Sequence, residues 1–142
     1  MDIEKNHIVV VEDEKSLRDL CITSLENSGW KVTAAPCGDV GLQTIADLYH
    51  AGQPPDIILT DIIMPGSLDG VQMIRRLKED GAVNDTQLAY RVIFMSGDIG
   101  KHTPEELAQL SWHELLDKPF SFQKLKAVLA LALKCIGKPS TD

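Results

Sequence analysis

Asp56-Ile57-Ile58-Leu59-Thr60-Asp61-Ile62-Ile63-Met64-Pro65 is the stretch on which the fold turns. Ile57-Ile58-Leu59 is a short apolar run of the kind that fits a strand buried on both faces. A carboxylate, Asp61, stands where that run should end. Pro65 cannot extend a central strand, so the chain must leave the sheet there. An acid at the exit of a buried strand in an open α/β sheet faces the crevice that holds ligands. A loop acid or a helix cap would look the same in this stretch alone, so the flanking segments decide.

Upstream, His7 to Val11 is β-branched and ends abruptly in Glu12-Asp13-Glu14, a central strand followed by an acidic loop. Leu17, Leu20, Cys21 and Leu25 recur at helical spacing, and Gly29 closes that helix. Trp30 to Ala35 reads as a second strand. Leu42, Ile45 and Tyr49 mark a helix from Cys37 to about Tyr49, which Gly52-Gln53-Pro54-Pro55 breaks.

Downstream, Gly66-Ser67-Leu68 is a loop and Asp69 an N-cap for a helix whose stripe is Val71, Ile74 and Leu77. Gly81 to Tyr90 is polar and turn-rich, so the expectation is a surface loop. Arg91 to Met95 is a fourth buried strand, ending in Ser96-Gly97-Asp98. Thr103-Pro104-Glu105-Glu106 spells a full capping box, opening a short helix that ends near Leu110 or Ser111. Glu114 to Asp117 is a brief fifth strand, followed by Lys118-Pro119-Phe120. Ser121 caps a last helix with the stripe Phe122, Leu125, Leu129, Ala132, Leu133 and Ile136, ended by Gly137 and Pro139.

Strand and helix therefore alternate five times within 142 residues, one ordinary domain with a core over about 7–136. Each crossover is long enough to carry a helix, so the strands should run parallel with helices on both faces. A net charge of −7 argues against a general binder of phosphate backbones, which needs a basic face. Cys21, Cys37 and Cys135 lack metal-ligand spacing and cannot all pair, which points to free thiols in a reducing compartment. Neither a signal peptide nor a stretch of membrane-spanning length is visible, so the expected location is cytoplasmic.

The polar residues that interrupt the pattern share one address. Glu12 and Asp13 follow the first strand, Asp61 ends the third, Ser96 the fourth and Lys118 the fifth. In a parallel sheet these ends lie on one edge. Three carboxylates so close repel one another unless a cation joins them, and an all-oxygen set favours Mg²⁺. Such a site suits phosphoryl transfer, with a carboxylate as nucleophile and metal and ammonium balancing the phosphoryl oxygens. Each residue alone reads more simply as a cap, a turn or a solvated acid; their convergence on one edge is what argues for a site.

The set Glu12-Asp13, Asp61 with Met64-Pro65 and Asp69-Gly70, Ser96-Gly97, and Lys118-Pro119-Phe120 resembles the receiver domain of two-component response regulators, chemotaxis regulators included, over about His7 to Ile136. The resemblance implies a flavodoxin-like (βα)5 three-layer sandwich with a five-stranded parallel sheet in order 2-1-3-4-5. It implies Asp61 as the phosphoacceptor, Asp13 and Asp61 as direct Mg²⁺ ligands, the Ile63 carbonyl completing the set and Glu12 acting through water. Ser96 and Lys118 match the family's hydroxyl and lysine, and the Lys118–Pro119 peptide is often cis there. The implied partners are a histidine kinase or histidine phosphotransfer protein and an unknown downstream target. That target would be read through the face of the helix after Thr103, the fifth strand and the last helix; no nucleic acid and no membrane are expected as direct partners. No enzymatic activity is implied beyond the domain's own phosphorylation and dephosphorylation.

Three departures from the family pattern stand out. The loop from Met64 to Gly70 has one residue more than is common, which resembles receivers attached to hybrid histidine kinases. Leu115 occupies the place of a rotating aromatic three residues before the lysine. Ile63 and Asp98 stand two residues after Asp61 and Ser96, where they flank the path of hydrolytic water; Ile63 is expected to shield an acyl phosphate. An aspartate-nucleophile phosphatase would carry a second acid where Ile63 stands, and a dinucleotide-binding domain would need glycines where Glu12-Asp13-Glu14 stands. A degenerate receiver that only binds partners would have lost phosphorylation residues that are all present here.

Overall fold

The computed structural model describes residues 5–66, 68–81, 83–97, 102–110 and 112–138. The readings that rest on Ser67, Asp98, Ser111 and the tail from residue 139 lie outside the described residues. The elements run β1 (His7–Val11), α1 (Lys15–Asn27), β2 (Lys31–Ala35), α2 (Gly38–His50), β3 (Ile57–Asp61), α3 (Gly70–Glu79), α4 (Leu88–Arg91), β4 (Val92–Ser96), α5 (Pro104–Gln109), β5 (Glu114–Asp117) and α6 (Phe122–Cys135). One sheet carries all five strands in the order β2-β1-β3-β4-β5, every pair parallel. That is the flavodoxin-like order, and the alternation of strand and crossover is as the sequence predicts.

β3 and β4 are buried at every residue because both sheet faces are covered. Successive side chains point to opposite faces. Val9, Val11, Ile58, Val92 and Phe94 pack with Ile45 of α2, Ile74 and Leu77 of α3 and Leu107 of α5. Ile8, Val10, Ile57, Leu59, Ile93 and Met95 pack on the other face with Cys21 and Leu25 of α1 and Leu129 and Leu133 of α6. The result is three layers, helix on sheet on helix. Gly29, at φ 93, takes the left-handed turn that ends α1, with its N–H donating to the Glu26 carbonyl.

Several local expectations are corrected. Trp30 does not begin β2; its N–H donates to the Leu25 carbonyl, and its ring is buried against the α1–α6 side of the core. The turn-rich stretch before β4 is not simply a surface loop. Val83 and Leu88 are buried, and Asp85 accepts from the Tyr49 hydroxyl and from Arg91 Nε, both at 2.7 Å, which pins the one-turn helix α4. Leu20 belongs to the helical spacing of α1 but is 62% exposed. The Thr103 box forms by half: Thr103 Oγ accepts from the Glu106 N–H at 3.1 Å, while the Glu106 carboxylate turns instead to His102. Asp69 and Gln72, by contrast, make a complete capping box at the start of α3.

Candidate functional site

Parallel register brings the carboxyl ends of the strands level. Val11 lies beside Thr60, Asp61 beside Met95, and Ser96 beside Asp117. The residues at and just after each end are thereby delivered to one rim, at the switch between β1 and β3, whose following helices α1 and α3 pack on opposite faces of the sheet. Ligands bind at such a switch in open α/β sheets.

Glu12 leaves β1 with no exposed surface, and its Oε1 accepts from Lys118 Nζ at 2.7 Å. The same ammonium donates to Asp61 Oδ2 at 2.7 Å. Lys118 reaches both from the turn after β5, where the Lys118–Pro119 peptide is cis. Its backbone N–H donates to the Ser96 carbonyl at 2.8 Å, tying the ends of β4 and β5 together. Ser96 itself is buried at the rim. Asp13 is exposed, yet one oxygen each from Glu12, Asp13 and Asp61 lie within 4.8 Å of one another. Arg18 holds the acidic turn from below, donating to the Glu12 carbonyl at 2.9 Å and the Asp13 carbonyl at 3.3 Å.

The electrostatics show a site short of positive charge. Burial first, and then the neighbouring Asp61 carboxyl, push the Glu12 carboxyl up to about 7, although Lys118 works against the rise. Burial pulls the Lys118 ammonium down, but its bonds to Asp61 and Glu12 outweigh that and raise it. Among the described residues, Glu12 Oε2 is the buried side-chain atom left without a hydrogen-bond partner. Three carboxylates against one ammonium, with one buried lone pair unmet, fit a hard divalent cation whose retained water can donate to Glu12.

The structure therefore brings together Glu12, Asp13, Asp61 and Lys118, with Ser96 on the adjoining strand end. Ile63 lies two residues beyond β3 with its side chain 42% exposed. Sequence reasoning missed three supports. Thr60 Oγ donates to the Asp61 carbonyl at 3.0 Å. Gly70 lies so close that a Cβ there would collide with that carbonyl, and its N–H donates to the Ile62 carbonyl at 2.8 Å. Arg18 is the third; a basic residue one turn into the helix after an acidic loop is a faint signal for it.

Fold and rim together define a doubly wound α/β domain with an acidic, lysine-braced cleft at its switch point. The chain belongs to the response regulator receiver domain family, whose model matches residues 8–130. It is 31% identical over 137 residues to the transcriptional regulatory protein CseB of Streptomyces avermitilis, covering 96% of this chain and 53% of that protein. It is 27% identical over 127 residues to a probable chemotaxis protein CheY of Rhizobium etli, covering 89% of this chain and 91% of that one. The chain spans about half the length of the first of these curated relatives. Among solved structures, the receiver domain of the sensor histidine kinase PA1611 of Pseudomonas aeruginosa superposes with a TM-score of 0.74 at 21% identity, covering 92% of this chain and 99% of that one. That structure holds a magnesium ion in its active site cleft. A receiver domain from Clostridium thermocellum gives 0.73 at 24% identity, covering 91% of this chain and 94% of that one. Among the described residues no helix is long and apolar enough to cross a membrane.

Proposed function

We propose that Asp61 is the phosphoacceptor of this receiver, taking a phosphoryl group from a phosphohistidine of a histidine kinase or histidine phosphotransfer protein in a Mg²⁺-dependent reaction. The observation that carries the reading is the Lys118 ammonium shared between Asp61 and Glu12 at 2.7 Å to each, with Asp13 in reach. A carboxylate oxygen of Asp61 attacks phosphorus; the new O–P bond forms as the donor N–P bond breaks, and its electron pair leaves with the imidazole nitrogen. Lys118 holds a phosphoryl oxygen in place of its present carboxylate contact, and the Ser96 hydroxyl donates to another. Asp13, Asp61 and the Ile63 carbonyl would hold Mg²⁺, with Glu12 acting through water. When bound, the metal supplies charge neutralisation between the acids and the phosphoryl oxygens. The domain's own phosphorylation and dephosphorylation are its only chemistry in this reading.

The donor would approach over a groove that Lys118 shares with the site. Leu17 and Leu20 of α1 line it together with Glu14, Ser16, Pro119 and Phe120. A phosphoryl group of charge near −2 at Asp61 then draws Ser96 inward and changes the binding of a downstream protein at α5, β5 and α6. A cytoplasmic location fits these partners. Nothing observed favours the phosphatase-like or merely partner-binding alternatives.

The test is direct. Incubation with acetyl phosphate and Mg²⁺, followed by intact mass measurement, should give a phosphate adduct on the protein and none on Asp61→Asn or without metal. Absence of an adduct, where a control receiver is labelled, would sink the proposal.

A further inference from the structure

His102, at the amino end of α5, is 5% exposed and carries a carboxylate on each ring nitrogen. Nε2 lies 2.6 Å from Asp69 Oδ2 and Nδ1 lies 2.9 Å from Glu106 Oε2. A neutral imidazole has one N–H and one lone pair, so both contacts are hydrogen bonds only when the ring holds both protons. Asp69 is no free acid: its Oδ1 caps α3 by accepting from the Gln72 N–H at 2.9 Å. Gly70, the next residue, rests on the Asp61 carbonyl and bonds the Ile62 carbonyl. Tight contacts therefore run from the backbone of Asp61 through Gly70 and Asp69 to His102, and from there to α5.

We propose that His102 is a positioning residue, an imidazolium clamp that ties the loop after Asp61 to the start of α5 and is loosened or tightened as Asp61 is modified. The clamp has two unequal arms. The Asp69 side chain is 10% exposed and already committed to α3, whereas that of Glu106 is 42% exposed. When the ring loses a proton, the remaining N–H stays on the buried arm, because leaving the buried Asp69 Oδ2 without this donor is the costlier loss. Glu106 is then released. A second partner lies one turn away, for the sequence spells a capping box in which Glu106 accepts from the Thr103 N–H. The half-formed box is thus the alternative setting of the same side chain. The titratable groups acting on the ring are Asp69, from the loop before α3, and Glu106, from α5. Burial lowers the imidazole's proton affinity, and the bonds to Glu106 and Asp69 outweigh it, which agrees with a charged clamp.

The inference rests on Asp61 being the phosphoacceptor, and the experiment separates the two. The full chain labelled with ¹⁵N-histidine is titrated by NMR, with and without Mg²⁺ and beryllofluoride, a mimic of the acyl phosphate; His102→Gln assigns the signal. His102 should titrate above the ordinary imidazole value of about 6.5, and Glu106→Gln should bring it down. Formation of the beryllofluoride adduct, seen by ¹⁹F, should change the ring's proton affinity by at least about threefold, and linkage then requires the reciprocal effect of the proton on the adduct. A ring that titrates at the ordinary imidazole value, or is indifferent to Glu106→Gln, overturns the clamp. An adduct that leaves the titration unchanged overturns its link to Asp61. No adduct at all overturns the phosphoacceptor reading and the link with it, while the Glu106→Gln comparison still decides whether the clamp exists.

Discussion

Glu12 has no exposed surface, one oxygen on Lys118 and the other without a partner, and its carboxyl is raised from the usual 4.5 to about 7. A folded-state value above the unfolded one means that protonation favours the fold. That contribution is complete below about 4.5 and is lost as pH rises through about 7. A cation at Glu12, Asp13 and Asp61 replaces the missing proton, so Mg²⁺ should raise the melting temperature by several degrees more at about pH 8 than at about pH 5. Glu12→Gln should flatten that difference. A Mg²⁺ effect equal at both pH values would show that the cation does not reach Glu12. Ile63, 42% exposed two residues after Asp61, makes a second residue-level claim. Ile63→Asn should speed loss of the phosphoryl group from Asp61 severalfold, read by intact mass over time; an unchanged rate removes the guard. Glu12, Asp13, Asp61 and Lys118 were legible because each interrupts an apolar run at a strand end. Arg18 and His102 were not, since their partners are carbonyls and carboxylates that only the folded chain brings near.

Among elements, α3 sets Asp61 in place. Its N-terminal turn packs so closely on β3 that Gly70 is required by space alone; its N–H meets Ile62 while any Cβ would strike the Asp61 carbonyl. Gly70→Ala must push α3 or the end of β3 aside, at a cost of about 1–3 kcal/mol by urea unfolding. Because the strand end moves with it, labelling by acetyl phosphate should slow as well. Lost stability with unchanged labelling would mean that α3 yields and β3 does not. The helices with caps and long apolar stripes were readable in advance, Asp69 and Ser121 included. α4 was not, because four residues are too few to form a helix alone. Asp85, just before it, holds it through Arg91 and is itself tied to Tyr49 of α2. The Thr103 box failed by half because the Glu106 carboxylate takes the neighbouring His102 ring, itself held by Asp69 from across the fold, instead of the Thr103 N–H.

For the molecule as a whole, alternating patterns foretold a parallel sheet covered on both faces, but periodicity does not order strands. The order came from the family resemblance, and the register then placed every interrupting residue on one rim. Leu20 keeps the helical spacing of α1, yet the fold turns it outward, 62% exposed, onto a groove that Phe120 also lines. The groove there is mostly apolar and Lys118 lines it, so a donor seated in it would bring its phosphohistidine toward Asp61. Acetyl phosphate needs no such seat. Leu20→Asp should therefore slow transfer from a phosphorylated histidine kinase that labels the parent protein by about tenfold, the loss of one interface anchor worth roughly 1.4 kcal/mol. Labelling by acetyl phosphate should stay the same, and so should the melting temperature, because an exposed side chain contributes little to the core. Equal loss with both donors would place the effect in the site or the fold, and no loss with either would move the donor to another face.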